Sequence, residues 1–129
     1  MLEIGIKGRL SETVTEEKTA GAVGSGALPV YATPAMIALM EHTALLSVAP
    51  ELDEGMTTVG TKLDVAHTSA SPVGSTITCE SELVETDRRR LVFKVTAYDD
   101  AGEIGSGTHE RFIVDCGKFM EKTAAKLNK

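Results

Sequence analysis

Residues 33–50 read TPAMIALMEHTALLSVAP, and this stretch decides the fold. Thr33 is a favoured helix N-cap and Pro34 suits the first turn, where its missing N–H is no loss, so the pair predicts a helix start. Ala35 to Ala49 then supplies strong helix formers, and Pro50 predicts the stop. At about 100° per residue, Ile37, Ala38, Ala44, Leu45 and Val48 gather around Glu41, and Ala35, Leu39, Leu46 and Ala49 gather around His42. Only Thr43 and Ser47 mark a polar stripe. A helix this apolar on nearly every side, yet shorter than the roughly 20 residues that cross a bilayer, belongs at the centre of a domain with the rest of the chain around it.

Downstream of the helix the period changes to two. Val59, Leu63, Val65 and His67 fall on one side of a strand, with Lys62 and Asp64 on the other. Ile77, Cys79, Ser81 and Leu83 form the inner side of a second strand; Leu91, Phe93, Val95 and Ala97 do so for a third, and Ile104 to Val114 makes a fourth. Short turn-like connectors at 71–74, 86–89 and 99–102 imply an antiparallel meander. Gly5 to Thr15 adds an N-terminal strand, and the tail from Lys118 to Lys129 reads as a short exposed helix. The Gly-rich stretch 21–26 (GAVGSG) reads as a loose connection, with no GK[ST] to make it a phosphate loop. Gly105 and Gly107, inside the fourth strand, are expected where another backbone approaches closely. The expected fold is therefore α+β: one curled antiparallel sheet wrapped around a central helix, the hotdog arrangement. Its open sheet edge favours a dimer.

The whole chain of 129 residues, 42% apolar and 25% charged, fits one domain over 1–129. The net charge of −6 has the wrong sign for a phosphate backbone, and two Tyr and three Phe without Trp make no base-stacking platform, so no nucleic acid is expected. No apolar run reaches membrane-spanning length and Met1 to Leu10 lacks the form of a secretory signal, so a cytoplasmic protein without membrane association is expected. Cys79 and Cys116 form no CxxC pair and have no His at zinc-like spacing, and both read as reduced packing thiols. Neither a metal nor a cofactor is expected.

Glu41 lies in the most apolar sector of the helix, and His67 continues the inward side of its strand. Two ionisable groups aimed inward from different elements form a candidate acid/base site, or else two buried polar groups satisfied by backbone or water. Thr33 stands about two turns before Glu41 and offers either the N-cap or a hydroxyl for that site. His109 and Arg111 share a side of the last strand; Arg111 suits an anionic ligand, a carboxylate across an interface, or a structural salt bridge. Arg88 to Arg90 reads as a solvated turn.

The segments ATPAMIALMEHTA (32–44), VGTKLDVAHTSASPVG (59–74) and EIGSGTHERFIV (103–114) resemble, in order and spacing, the fluoroacetyl-CoA thioesterase family of hotdog proteins. The resemblance covers the chain from Val14 to the C-terminal tail. It implies hydrolysis of an acyl-CoA thioester at the interface of a homodimer, with Thr33, Glu41 and His67 as the catalytic set. It also places a glycine near the acyl group at Gly60 and a pocket arginine at Arg111. The phenylalanine gate of the family corresponds to Ala27 here, so a small or medium acyl-CoA is expected as substrate without commitment to the fluorinated one. A non-catalytic acyl-CoA binding or sensing dimer is the alternative.

Overall fold

The computed structural model describes residues 2–128, so Met1 and Lys129, at the ends of the expected 1–129 domain, lie outside the described residues. Five strands, β1 (Lys7–Thr13), β2 (Met56–His67), β3 (Thr76–Asp87), β4 (Arg90–Asp99) and β5 (Gly102–Asp115), form one antiparallel sheet in the order β1-β3-β4-β5-β2. Helix α2 (Thr33–Val48) packs against it; α1 (Ala20–Val23) and α3 (Cys116–Ala124) are peripheral. The core joins Met36, Leu39, Met40, Ala44 and Val48 of α2 to Ile77, Cys79 and Leu83 of β3 and to Leu91, Phe93, Val95 and Ala97 of β4. Period-two burial along β3 and β4 follows the sequence pattern, and each fully buried Leu, Val or Phe contributes about 1.5–3 kcal/mol. The α+β hotdog arrangement expected from the sequence is present.

Several expectations are corrected. Only β3, β4 and β5 form a meander; β2 lies against β5. Two residues join β3 to β4 and two join β4 to β5, which forces neighbours, whereas the connector 68–75 is long enough to cross the end of the sheet. It is tied there by Thr68 N–H to the Ile104 carbonyl (2.7 Å) and by Tyr31 N–H to the Ser71 carbonyl (2.8 Å). In β2 a bulge between Gly60 and Lys62 leaves Thr61 unpaired. The extra residue reverses the alternation, so Val59 points away from the face shared by Leu63, Val65 and His67, while Thr58 and Gly60 point inward.

The central helix is less enclosed than its composition suggested. Thr43, assigned to a polar stripe, is buried and its hydroxyl donates to the Leu39 carbonyl (2.7 Å), while Ala38, His42 and Leu46 are exposed. Ala32, not Thr33, is the N-cap residue, and Thr33 is the first helical residue. Half of the Gly-rich stretch winds into α1, which Gly24 ends at a φ of 90°. The C-terminal helix starts at Cys116, earlier than expected, because Asp115 caps it by accepting from the Lys118 N–H (3.0 Å). Cys79 is buried as expected, but Cys116 is exposed; both are free thiols.

Candidate active site

The N-terminus of α2 and the last residue of β2 meet at Thr33 and His67. Because the hydroxyl of Thr33 is not used as a cap, it is free to meet His67, and Thr33 Oγ1 lies 2.8 Å from His67 Nδ1. His67 Nε2 is enclosed and has no hydrogen-bond partner among the described residues. Burial holds the His67 pKa below its ordinary 6.5, with the Ser69 backbone opposing part of that shift, so the ring is neutral near pH 7. A cavity of about 280 Å³ opens beside the pair, lined by Tyr31 and by small residues including Ala20, Ser25, Ser69 and Ala70. Ala27 lies in the exposed loop after α1 and does not line this cavity.

The second group is built where the middle of α2 faces the bulged part of β2. Glu41 Oε2 lies 3.7 Å from Arg111 Nη1; the Glu41 side chain is 41% exposed and the Arg111 side chain 6%. Glu41 is therefore half open, not enclosed as its apolar helical sector predicted. Arg111 is held from three sides: Nε donates to Thr58 Oγ1 (2.7 Å), Nη2 to the Thr58 carbonyl (2.8 Å) and Nη1 to His109 Nε2 (3.1 Å). Burial works against the charge on Arg111, and Glu41 is the counterion that offsets it. Gly60 faces this group, and a Cβ placed there would lie 2.5 Å from Glu41 Oε2 and 3.2 Å from His109 Cε1.

His109 and Thr58 were not singled out as site residues, although the side shared by His109 and Arg111 was the signal that could have found one of them. Arginine only donates, so His109 Nε2 must accept from Arg111 and the proton sits on Nδ1, which donates to the Lys62 carbonyl at 2.9 Å. His109 is thus a neutral strut between Arg111 and the bulge, with burial keeping its pKa below 6.5. His42, by contrast, is exposed. Arg90, from the predicted solvated run, is tied to Glu85 (2.7 Å) and Glu110 (2.9 Å).

Thr33 with His67, and Glu41 with Gly60 and Arg111, are two groups about two helical turns apart, and no hydrogen bond or ion pair links them among the described residues. A half-open carboxylate, a neutral imidazole and a buried cation are present, groups of the kind that acyl transfer uses. Among the described residues no cluster of three or more His, Cys, Asp or Glu could hold a metal ion, and no helix is long and apolar enough to cross a membrane. A larger cavity of about 460 Å³ lies over β1, β3 and β4, where Lys7, Arg9 and Lys94 alternate with Glu80 and Glu82 and no histidine or cysteine is present.

Residues 14–117 match the fluoroacetyl-CoA-specific thioesterase family. A fluoroacetyl-CoA thioesterase of Streptantibioticus cattleyicolor is 43% identical over 97 residues, 75% of this chain and 70% of the relative. The solved structure of the fluoroacetyl-CoA thioesterase FlK superposes with a TM-score of 0.91 at 36% identity, covering 98% of each chain. A mutant of FlK solved with fluoroacetate and CoA gives a TM-score of 0.87 at 36% identity over 92% of this chain and 99% of that one. The chain therefore belongs to the fluoroacetyl-CoA-specific thioesterase family of hotdog proteins.

Proposed function

We propose that this protein, as a single domain over 1–129, hydrolyses the thioester of a small or medium acyl-CoA at a site completed by a second copy of the chain. The observation that carries the reading is the Thr33–His67 pair with its bare, enclosed Nε2, set at the same cavity on a chain whose relatives cleave such thioesters. Glu41 attacks the thioester carbonyl, or takes a proton from the water that attacks it. His67 takes up a proton released by the attacking water or by solvent and passes it to the departing thiolate, returning to its neutral form, and Thr33 holds its ring through Nδ1. A backbone N–H near Gly60 faces the developing oxyanion, and Arg111, nearly enclosed, contributes by orienting the Glu41 carboxylate beside the substrate. A single turnover in labelled water distinguishes the two routes: label appearing first in the enzyme means attack by Glu41.

The separation of the two groups supports the homodimer. β2 is an edge strand, with Gly60 near its middle and His67 at its end. Antiparallel pairing of β2 with its two-fold copy, centred between Gly60 and His67, sets His67 of one protomer beside Gly60 of the other, so that two half-sites complete each other. The partly open side of α2 that carries Glu41 and His42 lies along this junction. The family resemblance puts Ala27 where relatives carry an aromatic gate, so selection for one acyl group is not expected from that position, and a cytoplasmic location fits the CoA substrate.

The test is a panel of acyl-CoAs of increasing chain length, read as free thiol released. Wild-type protein releases thiol from the shorter members, and Glu41→Gln and His67→Ala each lose at least about 99% of it while remaining folded. Binding without release across the panel would instead establish a non-catalytic acyl-CoA-binding dimer.

A further inference from the structure

Tyr31 takes no part in the reaction described, yet it is the largest side chain fully enclosed in the core, 1% exposed. Its main chain is pinned by the Ser71 carbonyl and flanked by Ala20 N–H to the Val30 carbonyl (2.8 Å) and Ala32 N–H to the Lys18 carbonyl (2.8 Å). Its hydroxyl donates to Glu12 Oε2 at 2.5 Å, and the other oxygen of that carboxylate receives Lys18 Nζ at 2.6 Å. Glu12 stands on the inward side of β1, where Gly8 and Leu10 also point, a position with no packing reason for a carboxylate. Burial and the Glu12 carboxylate both raise the Tyr31 pKa far above 10, so the phenol remains a donor at every working pH. At the other end, the ring meets the His67 imidazole edge to face, with centroids 6.3 Å apart and planes at 80°.

We infer that Tyr31, tethered through its hydroxyl to Glu12 and Lys18, is a positioning residue that holds the His67 imidazole against Thr33 with Nε2 enclosed. The inference rests on His67 carrying the proton in the proposed hydrolysis. Thr33 fixes one ring nitrogen of His67 but leaves rotation about that bond; the Tyr31 ring closes off that rotation from the side. No charged side chain shifts His67, so the flanking ring acts by excluding water.

Two variants separate the ring from its tether. Tyr31→Leu fills similar space without the aromatic edge, and Tyr31→Phe keeps the ring without the hydroxyl. NMR titration of the His67 imidazole in folded protein is the first readout, because it needs no turnover. In Tyr31→Leu the pKa moves up toward 6.5, kcat falls about tenfold and KM stays within about twofold; Tyr31→Phe lies between this variant and wild type. An unchanged His67 titration with unchanged kcat in Tyr31→Leu, whatever happens to its melting temperature, would overturn the inference. If wild type releases no thiol from any acyl-CoA, the thioesterase reading fails while the titration still decides whether Tyr31 positions His67.

Discussion

Gly60 shows how one missing side chain shapes the candidate site. A methyl at this position meets the flexible end of Glu41 before any backbone, so Gly60→Ala folds by pushing the carboxylate aside. Displacement of a reacting group by about 1 Å can cost about 100-fold in rate, and Gly60→Ala is expected to lose between about 10-fold and 100-fold in kcat with little change in melting temperature. A variant that unfolds, or one with wild-type turnover, would remove Glu41 from its assigned place. His109 gives a second residue-scale expectation. Its pKa is lowered on folding, so as pH falls below about 6.5 the unfolded chain binds the proton first and stability is lost down to the folded-state value. His67 acts with the same sign. Thermal midpoints measured from pH 8 to pH 5 should therefore decline below about 6.5, and the decline should be shallower in His109→Gln. Equal slopes in the two proteins would show that His109 is not the titrating strut.

At the scale of elements, the approach of α2 to β1 and the pairing of β2 beside β5 set where the site groups stand. A Cβ on Gly8 would lie 2.7 Å from Ser47 Cβ, 2.8 Å from Ser81 Oγ and 2.9 Å from the Thr43 carbonyl. The helix backbone cannot yield as a side chain can, so Gly8→Ala should destabilise by about 1–3 kcal/mol, read as the denaturant midpoint at unchanged m-value. A neutral result would mean that α2 sits farther from β1. The glycines of β5 meet the sequence expectation of close approach: Gly105 faces the Ala66 carbonyl and Met36 Sδ, and Gly107 faces the Asp64 carbonyl. They let β2 pair closely beside β5 at the register that carries His67 to Thr33. The bulge at Thr61 then corrects the phase for Gly60. Both devices act on the same strand, and together they present Gly60 and His67 to the concave side despite their being an odd number of residues apart.

For the whole molecule, the proposed two-fold dimer with a shared site has a consequence that a single-chain site does not. Glu41→Ala and His67→Ala homodimers should each be inactive, but when the two proteins are mixed and exchanged, a heterodimer has one site with both residues intact. With half of the dimers mixed and one live site in each, about a quarter of wild-type activity should return. No recovery after demonstrated subunit exchange would place Glu41 and His67 in a site made by one chain.

The sequence alone determined the apolar helix, the period-two strands and thereby the α+β class, because both signals are local repeats that burial of one face imposes. It also marked Thr33, Glu41, His67 and Arg111 as polar groups in positions where hydrophobic burial needs a reason; Gly60 entered only through the family resemblance. The tertiary structure decided which strand β2 joins, since a connector of that length leaves either neighbour possible and only distant contacts choose between them. It decided the facing of Gly60 and Val59 as well, because one bulged residue inverts every position on one side of it and no repeat announces the insertion. And it decided the partner of the Thr33 hydroxyl, which local propensity assigned to the helix end but which His67, 34 residues away in sequence, claims at 2.8 Å.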